Sequence, residues 1–284
     1  MADNVLTKAR DRAQSAAEVP AATLDTLGTQ MLFYIRVLRS VPGTIRKYGR
    51  EIVRLLAEVA LGSGSLAVIG GTVGVITAMC FFTGTEVGIQ GYAALDQLGT
   101  SALTGFVSAY FNTREIAPLV AALALSATVG SGFTAQLGAM RISEEIDALE
   151  VMAVPSMQFL VTTRVLAGLI AVVPLYIVGL LSSYFATRLT ITRINGQSPG
   201  TYDHYFNTFL PPTDVLWSFA KVLIFAVVVI LIHCYYGYYA SGGPAGVGVA
   251  VGLAVRTSIV AITVIDLLAS MAIWGTNVTV RLAG

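Results

Sequence analysis

Residues 215–237 read VLWSFAKVLIFAVVVILIHCYYG, a run in which Lys221 is the only residue among Asp, Glu, Lys and Arg. About 20 apolar residues in an α-helix are enough to cross a hydrocarbon core about 30 Å thick. The run therefore predicts a membrane-spanning helix. The whole chain fits this interpretation, because only 12% of its 284 residues are charged and its mean hydropathy is +0.76, whereas soluble domains carry about 25% charged residues.

Further apolar regions predict additional spans along the chain. The regions near 100–136 and 246–276 are longer than one bilayer thickness requires. Pro118 and Gly130-Ser131-Gly132 are candidate break points in the region near 100–136. The sequence thus predicts an all-α, polytopic membrane protein with about five transmembrane helices. The four further regions lie near 62–83, 100–136, 164–187 and 246–276.

Residues 1–60 differ from the rest and predict an amphipathic region at the membrane surface, with residues 61–284 forming the transmembrane domain. Apolar residues recur there at helical spacing in two stripes, which are separated by Pro42-Gly43. Basic side chains accompany the second stripe, as in helices that lie on an anionic membrane. A packed helix of a soluble subdomain is the alternative. The stripes are Leu24, Leu27, Met31, Ile35, Leu38 and then Ile45, Tyr48, Ile52, Leu55, Val59, and the basic residues are Arg46, Lys47, Arg50 and Arg54.

The distribution of basic residues predicts the orientation in the membrane. Nine of the 17 lysines and arginines precede residue 60, whereas the expected loop 83–99 contains none. Because Lys and Arg concentrate on the cytoplasmic side, we expect a cytoplasmic N-terminus. With five spans, residues 137–163 are then cytoplasmic and the C-terminus is extracytoplasmic, and a sixth span would reverse the C-terminus.

Residues 140–154, MRISEEIDALEVMAV, place four carboxylates between two apolar runs. Ser143 is a suitable N-cap, early acids suit the helix dipole, and the apolar residues fall on one stripe. The pattern predicts a short cytoplasmic helix over about 141–154. It is either a solvated connector or a docking helix for a soluble partner. The stripe is Ile142, Ile146, Leu149 and Ala153, and the acids are Glu144, Glu145, Asp147 and Glu150.

Five ionisable residues fall inside predicted spans, where charges are costly and usually face a bundle interior or a cavity. At about 1.5 Å per residue, Glu115, Lys221 and Asp266 lie at similar depths in the outer half of the membrane. We therefore expect these three to meet, either as a transport gate or as a purely structural ion-pair network. The other two are Arg114, next to Glu115, and Arg256, which falls in the inner half.

Several enzyme motifs are absent or weak. No GxxxxGK[ST] motif occurs, so the chain is not predicted to bind ATP or to act as an enzyme by itself. The Gly-Ser runs at 62–65 and 130–132, with His233 as a base, suggest an intramembrane hydrolase, but helix packing by small residues explains both better. His204 and His233 lack neighbouring ligands, so we predict no metal site and no cofactor.

Small and aromatic residues give two further predictions. Glycine pairs spaced by four residues allow helices to approach closely, either within the subunit or between subunits. Four tyrosines between 235 and 239 predict an aromatic belt at the inner interface. The glycine pairs are Gly70/Gly74, Gly84/Gly88, Gly242/Gly246 and Gly248/Gly252, and the tyrosines are Tyr235, Tyr236, Tyr238 and Tyr239.

The stretch Thr113–Gly168 resembles the signature region of the MlaE/YrbE permeases, the membrane subunits of ABC-type lipid transporters that work with MCE-domain proteins. Its most specific parts are Arg114-Glu115…Pro118 and the run EEIDALEVM at 144–152. The family usually has Gly-Arg-Ala-Gly-Ser where this chain has ATVGS at 127–131. The long basic N-terminus and CYYGYYASGGPAGVGVAVG at 234–252 look most like the B-type YrbE permeases of actinobacterial Mce systems, which pair with an A-type permease.

This resemblance implies a permease subunit that imports a fatty acid, phospholipid or sterol across the inner (plasma) membrane. ATP and Mg would be bound by cytoplasmic ABC ATPase subunits, the other partners would be an A-type permease and outer MCE-domain proteins, and no nucleic acid is expected. An ion-coupled secondary transporter and a non-transporting scaffold for MCE proteins are the alternatives. The resemblance assigns the gate to Glu115, Lys221, Asp266 and Arg114, and the ATPase-coupling helix to Arg141, Glu144, Glu145, Ile146, Asp147, Leu149 and Glu150.

Overall fold

The computed structural model describes residues 27–61 and 71–275, and both stretches consist of helices joined by short connections. Nine helices follow one another within these stretches, and no strand occurs there. The predicted all-α architecture is therefore confirmed. The helices are α1 (27–47), α2 (Gly49–Leu61), α3 (Thr72–Gln97), α4 (Ser101–Ile142), α5 (Glu145–Val151), α6 (Met157–Ile194), α7 (Pro199–Thr208), α8 (Pro212–Tyr238) and α9 (Gly243–Trp274).

Five of these helices, namely α3, α4, α6, α8 and α9, are long and apolar enough to cross a membrane, which confirms five spans. The first span is displaced from its predicted position at 62–83, because α3 continues to Gln97 through residues that were expected to form a loop. Thr83 and Thr85 donate to carbonyl groups of the preceding turn, so these polar residues do not interrupt the helix. Residues 62–70 lie outside the described residues.

The second span, α4, is one continuous helix of 42 residues, so the predicted breaks at Pro118 and Gly130-Ser131-Gly132 are wrong. Instead, α4 widens into π-helical turns over Ser108–Ile116 and Ser126–Gly130. Proline has no N–H for the usual hydrogen bond to the residue four positions earlier. A π-turn directly before Pro118 accommodates this loss without ending the helix.

Two glycines allow α3 to approach α6 at backbone distance. A Cβ atom added to Gly84 would lie 2.5 Å from the carbonyl oxygen of Ser183, and one added to Gly88 would lie 3.0 Å from Cβ of Thr190. Thr187 strengthens this contact, because its hydroxyl donates to the carbonyl of Gly84 at 2.7 Å. The Gly84/Gly88 pair therefore serves packing within the subunit.

The N-terminal helices turn at a position that the sequence did not indicate. Helix α1 continues through Pro42-Gly43, and the chain turns at Tyr48, whose carbonyl accepts the first hydrogen bonds of α2. The hydroxyls of Ser40 and Thr44, which flank the proline, donate to the carbonyls of Val37 and Ser40 in the preceding turn. The helix therefore keeps hydrogen bonds where the proline removes one.

The two predicted apolar stripes of this region face different surroundings. The described part of the first stripe is exposed, and Phe33 and Val37 of α1 contact the bundle in its place. Leu24, the first member of this stripe, lies outside the described residues. In the second stripe, Ile52, Leu55 and Val59 are buried against the bundle. The exposed members of the first stripe are Leu27, Met31, Ile35 and Leu38, and all four basic residues Arg46, Lys47, Arg50 and Arg54 are also exposed.

Polar contacts fix α2 to the bundle and order its surface. Arg164 of α6, which sequence reasoning missed, donates to Gln136 at 3.3 Å, and Gln136 donates to Glu58 of α2 at 2.7 Å. On the exposed side, the Arg54 guanidinium donates to Glu51 at 2.9 Å, and this hydrogen bond lowers the pKa of Glu51. The contact at Glu58 thus ties α2 to the bundle, whereas the Glu51–Arg54 pair lies within α2 itself.

We expect Gly84→Ala to lower the free energy of unfolding by about 1–3 kcal/mol, because the new methyl group would overlap the backbone of α6. Gly132→Ala is the matched control, since a Cβ atom at this helical glycine would contact nothing within 4 Å. Replacing an uncrowded helical glycine by alanine should raise stability by up to about 1 kcal/mol. Thermal unfolding of the purified proteins in detergent measures both, and equal effects would contradict the close contact.

Candidate functional site

A cluster of polar side chains lies where α4, α8 and α9 meet. The ammonium of Lys221, which is fully buried, lies 2.7 Å from Asp266 Oδ1 and 3.3 Å from Glu115 Oε2. Lys221 also donates to Ser270 Oγ at 2.9 Å, and Ser270 donates to Glu115 Oε1 at 2.8 Å. The structure brings together the three residues that were matched by depth and adds Ser270, and we call these four residues the charge cluster.

The backbone of α4 supplies a further acceptor for the buried ammonium. Lys221 Nζ donates to the carbonyl oxygen of Arg114 at 2.7 Å. In an α-helix this carbonyl would accept the N–H group of residue 118. Arg114 lies in the π-helical segment Ser108–Ile116 directly before Pro118, and Pro118 has no N–H group, so Pro118 does not compete with Lys221 for this carbonyl. Pro118 therefore helps to build the charge cluster.

The charge cluster contains more negative than positive charge. The ammonium of Lys221 has three N–H groups and four oxygen neighbours, namely Arg114 O, Ser270 Oγ, Glu115 Oε2 and Asp266 Oδ1. Within the described residues, no hydrogen-bond donor other than this ammonium lies close to Asp266 Oδ1. The Asp266 side chain is 14% exposed and that of Glu115 is 36% exposed. Glu115 is therefore the member that a passing molecule can contact.

Arg114, predicted to join the gate, directs its side chain to a neighbouring polar site. Its guanidinium donates to Asp214 at 2.7 Å and stacks 4.0 Å from the ring centre of Tyr110. Trp274 donates to the other oxygen of Asp214 at 3.1 Å. This site ties together the same three helices. Sequence reasoning missed Asp214 because it directly precedes the predicted fourth span, although an acid at a span end can serve as a partner for a buried arginine.

His233 forms a second buried network among the same helices. Its Nε2 lies 3.0 Å from Ser126 Oγ, which lies 2.7 Å from Ser258 Oγ, and its Nδ1 lies 2.8 Å from Thr134 Oγ1. A serine does contact His233, but it is Ser126 and not Ser131, whose hydroxyl bonds the backbone of its own helix. All four side chains of the network are buried. The arrangement lacks the access and the orienting carboxylate of a hydrolase, and it connects α4, α8 and α9.

The acidic segment between the second and third spans forms a shorter helix than the predicted 141–154. Helix α5 covers Glu145–Val151, whereas Ile142 belongs to the end of α4. Ser143 does not cap α5, because its hydroxyl donates back to the carbonyl of Ala139 and Glu144 occupies the cap position. Glu144 and Ala153 have φ angles of 61° and 57°, so a left-handed residue bounds α5 at each end.

The side chains of α5 divide between the bundle and the surface. Ile146 is fully buried and Leu149 packs beside it against the main core, so these two lie beneath the surface of α5. Val151 and Met152 are 88% and 65% exposed. Glu144, Glu145 and Asp147 are also exposed, Asp147 pairs with Arg141 at 2.6 Å, and Glu150 accepts a hydrogen bond from Ser156. The exposed surface of α5 is therefore an apolar pair beside three acids.

Helix α9 presents an uncovered apolar face with a charge near its centre. Arg256 is exposed and lies about 20 Å from the start of α9, at 1.5 Å per residue. Gly248 and Gly252 beside this face have no atom near a Cβ position. We call the following residues the α9 face, all of them exposed: Val249, Leu253, Arg256, Val260, Val264, Leu267 and Met271.

The predicted aromatic belt is mainly a packing contact between α1 and α8. The ring of Phe33 lies 5.5 Å from Tyr235, 5.9 Å from Tyr238 and 5.8 Å from Tyr239. Tyr238 is buried, whereas Tyr239 is 49% exposed. These rings hold α1 on the end of the bundle that carries α5.

Comparison with known proteins identifies relatives of this chain. The family model described as permease MlaE matches residues 63–272. A probable ABC transporter permease protein of Rickettsia bellii is 29% identical over 199 residues, covering 67% of this chain and 73% of the relative. The chloroplastic protein TRIGALACTOSYLDIACYLGLYCEROL 1 of Arabidopsis thaliana is 29% identical over 196 residues, covering 68% and 56%. The intermembrane phospholipid transport system permease protein MlaE of Haemophilus influenzae is 30% identical over 158 residues, covering 55% and 60%.

The family model spans most of the chain and covers α5, the charge cluster and the five spans except the last two residues of α9. A multi-pass helical bundle of this kind agrees with relatives that are named as transporter permeases. The chain therefore belongs to the MlaE permease family.

Proposed function

We propose that this chain is the permease subunit of an ATP-driven lipid transporter, in which a separate ATPase subunit binds and hydrolyses ATP. The charge cluster is the observation that carries the proposal. A charge inside a membrane is expensive and usually faces a pathway or pairs across helices. Lys221 pairs across three spans, and Glu115 remains accessible beside it. Opening the bundle at this level breaks the pairs, so the cluster acts as a gate.

The cargo is a lipid of the fatty acid, phospholipid or sterol class, and the transport direction is import. A relative named for intermembrane phospholipid transport supports the lipid class. The basic N-terminal region and the exposed arginines of α1 and α2 support a cytoplasmic position for that end of the bundle, which also carries α5. The charge cluster then lies in the outer half of the inner membrane, beneath MCE-domain proteins.

Lys221→Met should lower the rate of lipid transport by tenfold or more, while the complex still assembles and binds ATP. The substitution leaves Asp266 with no partner among the described residues, whereas Glu115 keeps the hydrogen bond from Ser270. Removing one member of a buried pair strands the charge of the other. Adding Asp266→Asn should therefore restore part of the transport. Lipid transfer by the reconstituted complex measures both variants.

Lys47→Met, which removes an exposed lysine of α1, is the control and should transport normally. A Lys221→Met complex that assembles and transports at the wild-type rate would exclude the gate. A Lys221→Met chain that fails to assemble would support a purely structural ion-pair network instead. Normal assembly of MCE proteins with no lipid transfer by the wild-type complex would favour the scaffold function.

Helix α5 is the surface on which the ATPase docks. The apolar pair Val151 and Met152 and the three exposed acids combine a contact that excludes water with a charged rim, as in protein interfaces. The acids select a basic groove on the partner. Three further residues hold α5 in place. Arg141 pairs with Asp147, Leu149 packs on the core, and Glu150 accepts a hydrogen bond from Ser156.

Reversing Glu144 and Glu145 to Lys should lower copurification of the ATPase by about tenfold or more, because like charges across an interface oppose association. Both residues are exposed, so the permease itself should fold normally. The control is Asp96→Lys, which reverses an exposed acid at the far end of α3. Full recovery of the ATPase with the double variant would contradict docking, and a wild-type chain that never copurifies with an ATPase would favour an ion-coupled secondary transporter.

The α9 face is covered by a second permease, of the A type if this chain is a B-type subunit. An arginine near the middle of a span is too deep to reach the headgroups at low cost, so Arg256 requires a protein partner. Gly248 and Gly252 leave room for another helix beside this face. Covering the α9 face also places the second subunit next to Asp266 and Ser270, which lie on the same helix.

A photoreactive amino acid at Val260 should cross-link to a second permease chain. Val260 is 64% exposed within the α9 face, and Leu181 of α6, at 59%, provides a control of similar exposure that we expect to face lipid. Mass spectrometry of adducts formed in native membranes identifies the partner. Equal cross-linking from both positions, or lipid adducts from both, would contradict a subunit interface on α9.

A further inference from the structure

A chain of three side-chain oxygens ties α5 to the end of α8. Ser156 Oγ donates to Glu150 Oε1 at 2.7 Å. Tyr238 Oη lies 2.8 Å from Ser156 Oγ and 3.3 Å from Glu150 Oε1. Glu150 belongs to α5, Ser156 directly precedes α6, and Tyr238 is the last residue of α8. Three segments of the bundle are therefore joined at one point.

Two of the three residues at this junction are buried away from water. Tyr238 is 9% exposed and Ser156 is 3% exposed. Hydrogen bonds in such surroundings are stronger than at a wet surface, and an unpaired member is costly. Glu150, although exposed as a residue, thus directs one carboxylate oxygen inward to the buried Ser156, whereas Asp147 and Glu145 contact the exposed side chains of Arg141 and Ser143.

Helix α8 leads from this junction to the charge cluster. Tyr238 and Lys221 are 17 positions apart, which corresponds to about 25 Å at 1.5 Å per residue. Between them, His233 binds side chains of α4 and α9. A displacement of α8 along its axis would therefore disturb the polar contacts both at Tyr238 and in the charge cluster. At the other side of the junction, α5 is anchored by the buried Ile146 and bounded by two left-handed residues.

We infer that Tyr238 is a positioning residue that transmits movement of α5 to α8 and thereby to the charge cluster. The inference rests on the proposed function, in which α5 docks the ATPase and the charge cluster gates the lipid. Its hydroxyl does not touch lipid or nucleotide. It links the docking helix to the helix that carries Lys221, so that docking and gating move together.

The test compares Tyr238→Phe with Tyr239→Phe in the complete transporter. Tyr238→Phe keeps the ring and its packing but removes the hydroxyl that reaches Ser156. Tyr239 is the adjacent tyrosine of the same aromatic cluster and is half exposed, so its variant controls for the loss of a hydroxyl. Three quantities are measured: ATPase copurification, ATP turnover, and transfer of a fluorescent phosphatidylglycerol between vesicles.

We expect Tyr238→Phe to bind the ATPase and hydrolyse ATP, and to move roughly fivefold less lipid per ATP, the factor that one lost hydrogen bond represents. Tyr239→Phe should match the wild type. Glu150→Ala should behave like Tyr238→Phe, and Glu150→Gln should restore coupling because its amide oxygen still accepts both hydroxyls. If Tyr238→Phe does not assemble, Ser156→Ala removes the middle of the junction and takes its place.

A Tyr238→Phe or Glu150→Ala complex that moves as much lipid per ATP as the wild type would overturn the inference. Loss of ATPase copurification in Tyr238→Phe would also overturn it, because the residue would then serve docking and not transmission. Failure of the proposed function is recognised separately, since a wild-type complex would then lack the ATPase or transfer no lipid before any variant is compared.

Discussion

The buried ammonium of Lys221 is the contact on which the arrangement of α4, α8 and α9 depends. A lysine at membrane depth costs about 2.5–3.5 kcal/mol on insertion scales, and here every N–H group is used. One of the acceptors is the carbonyl of Arg114, for which Pro118 has no N–H group that could compete. Because the partners come from different spans, none of these helices can shift alone without leaving a charge unpaired.

Helix α8 is positioned by polar contacts for the same physical reason. Inside a membrane, apolar helix faces gain little by leaving lipid, so polar contacts and small residues determine how helices associate. Helix α8 has such contacts along its whole length, through Asp214, Lys221, His233 and Tyr238. Each of these contacts joins α8 to a different segment, or to the same segment at a different position along the axis of α8. Together they fix the rotation and the height of α8, which apolar packing alone would leave adjustable.

The spans and the meeting of Glu115, Lys221 and Asp266 could be predicted from the sequence, because hydropathy and the helical rise per residue depend on the chain alone. The errors of the sequence-based prediction have physical causes. The sequence predicts breaks at Pro118 and Gly130 because π-turns that absorb a proline have no sequence signal of their own. It also predicts a loop at residues 83–99, whereas the hydroxyls of Thr83 and Thr85 bond their own helix and Gly84 packs against α6. Asp214, Trp274 and Ser270 were missed because a partner becomes visible only when separate helices meet.

Helix α5 shows most clearly what periodicity can and cannot decide. Only the middle of the predicted stripe faces the bundle, because Ile146 and Leu149 pack on the core. Ile142 and Ala153 are exposed and lie outside α5, and the exposed apolar pair lies at the end of this helix. Spacing identifies a stripe, whereas the turns at Glu144 and Ala153 determine its direction. In the proposed function, a partner that pushes on Val151 and Met152 would displace Ile146 and Glu150 together, since packed interiors resist compression. The acids at the surface would then select the partner, and the buried side of the same short helix would determine which movement binding causes.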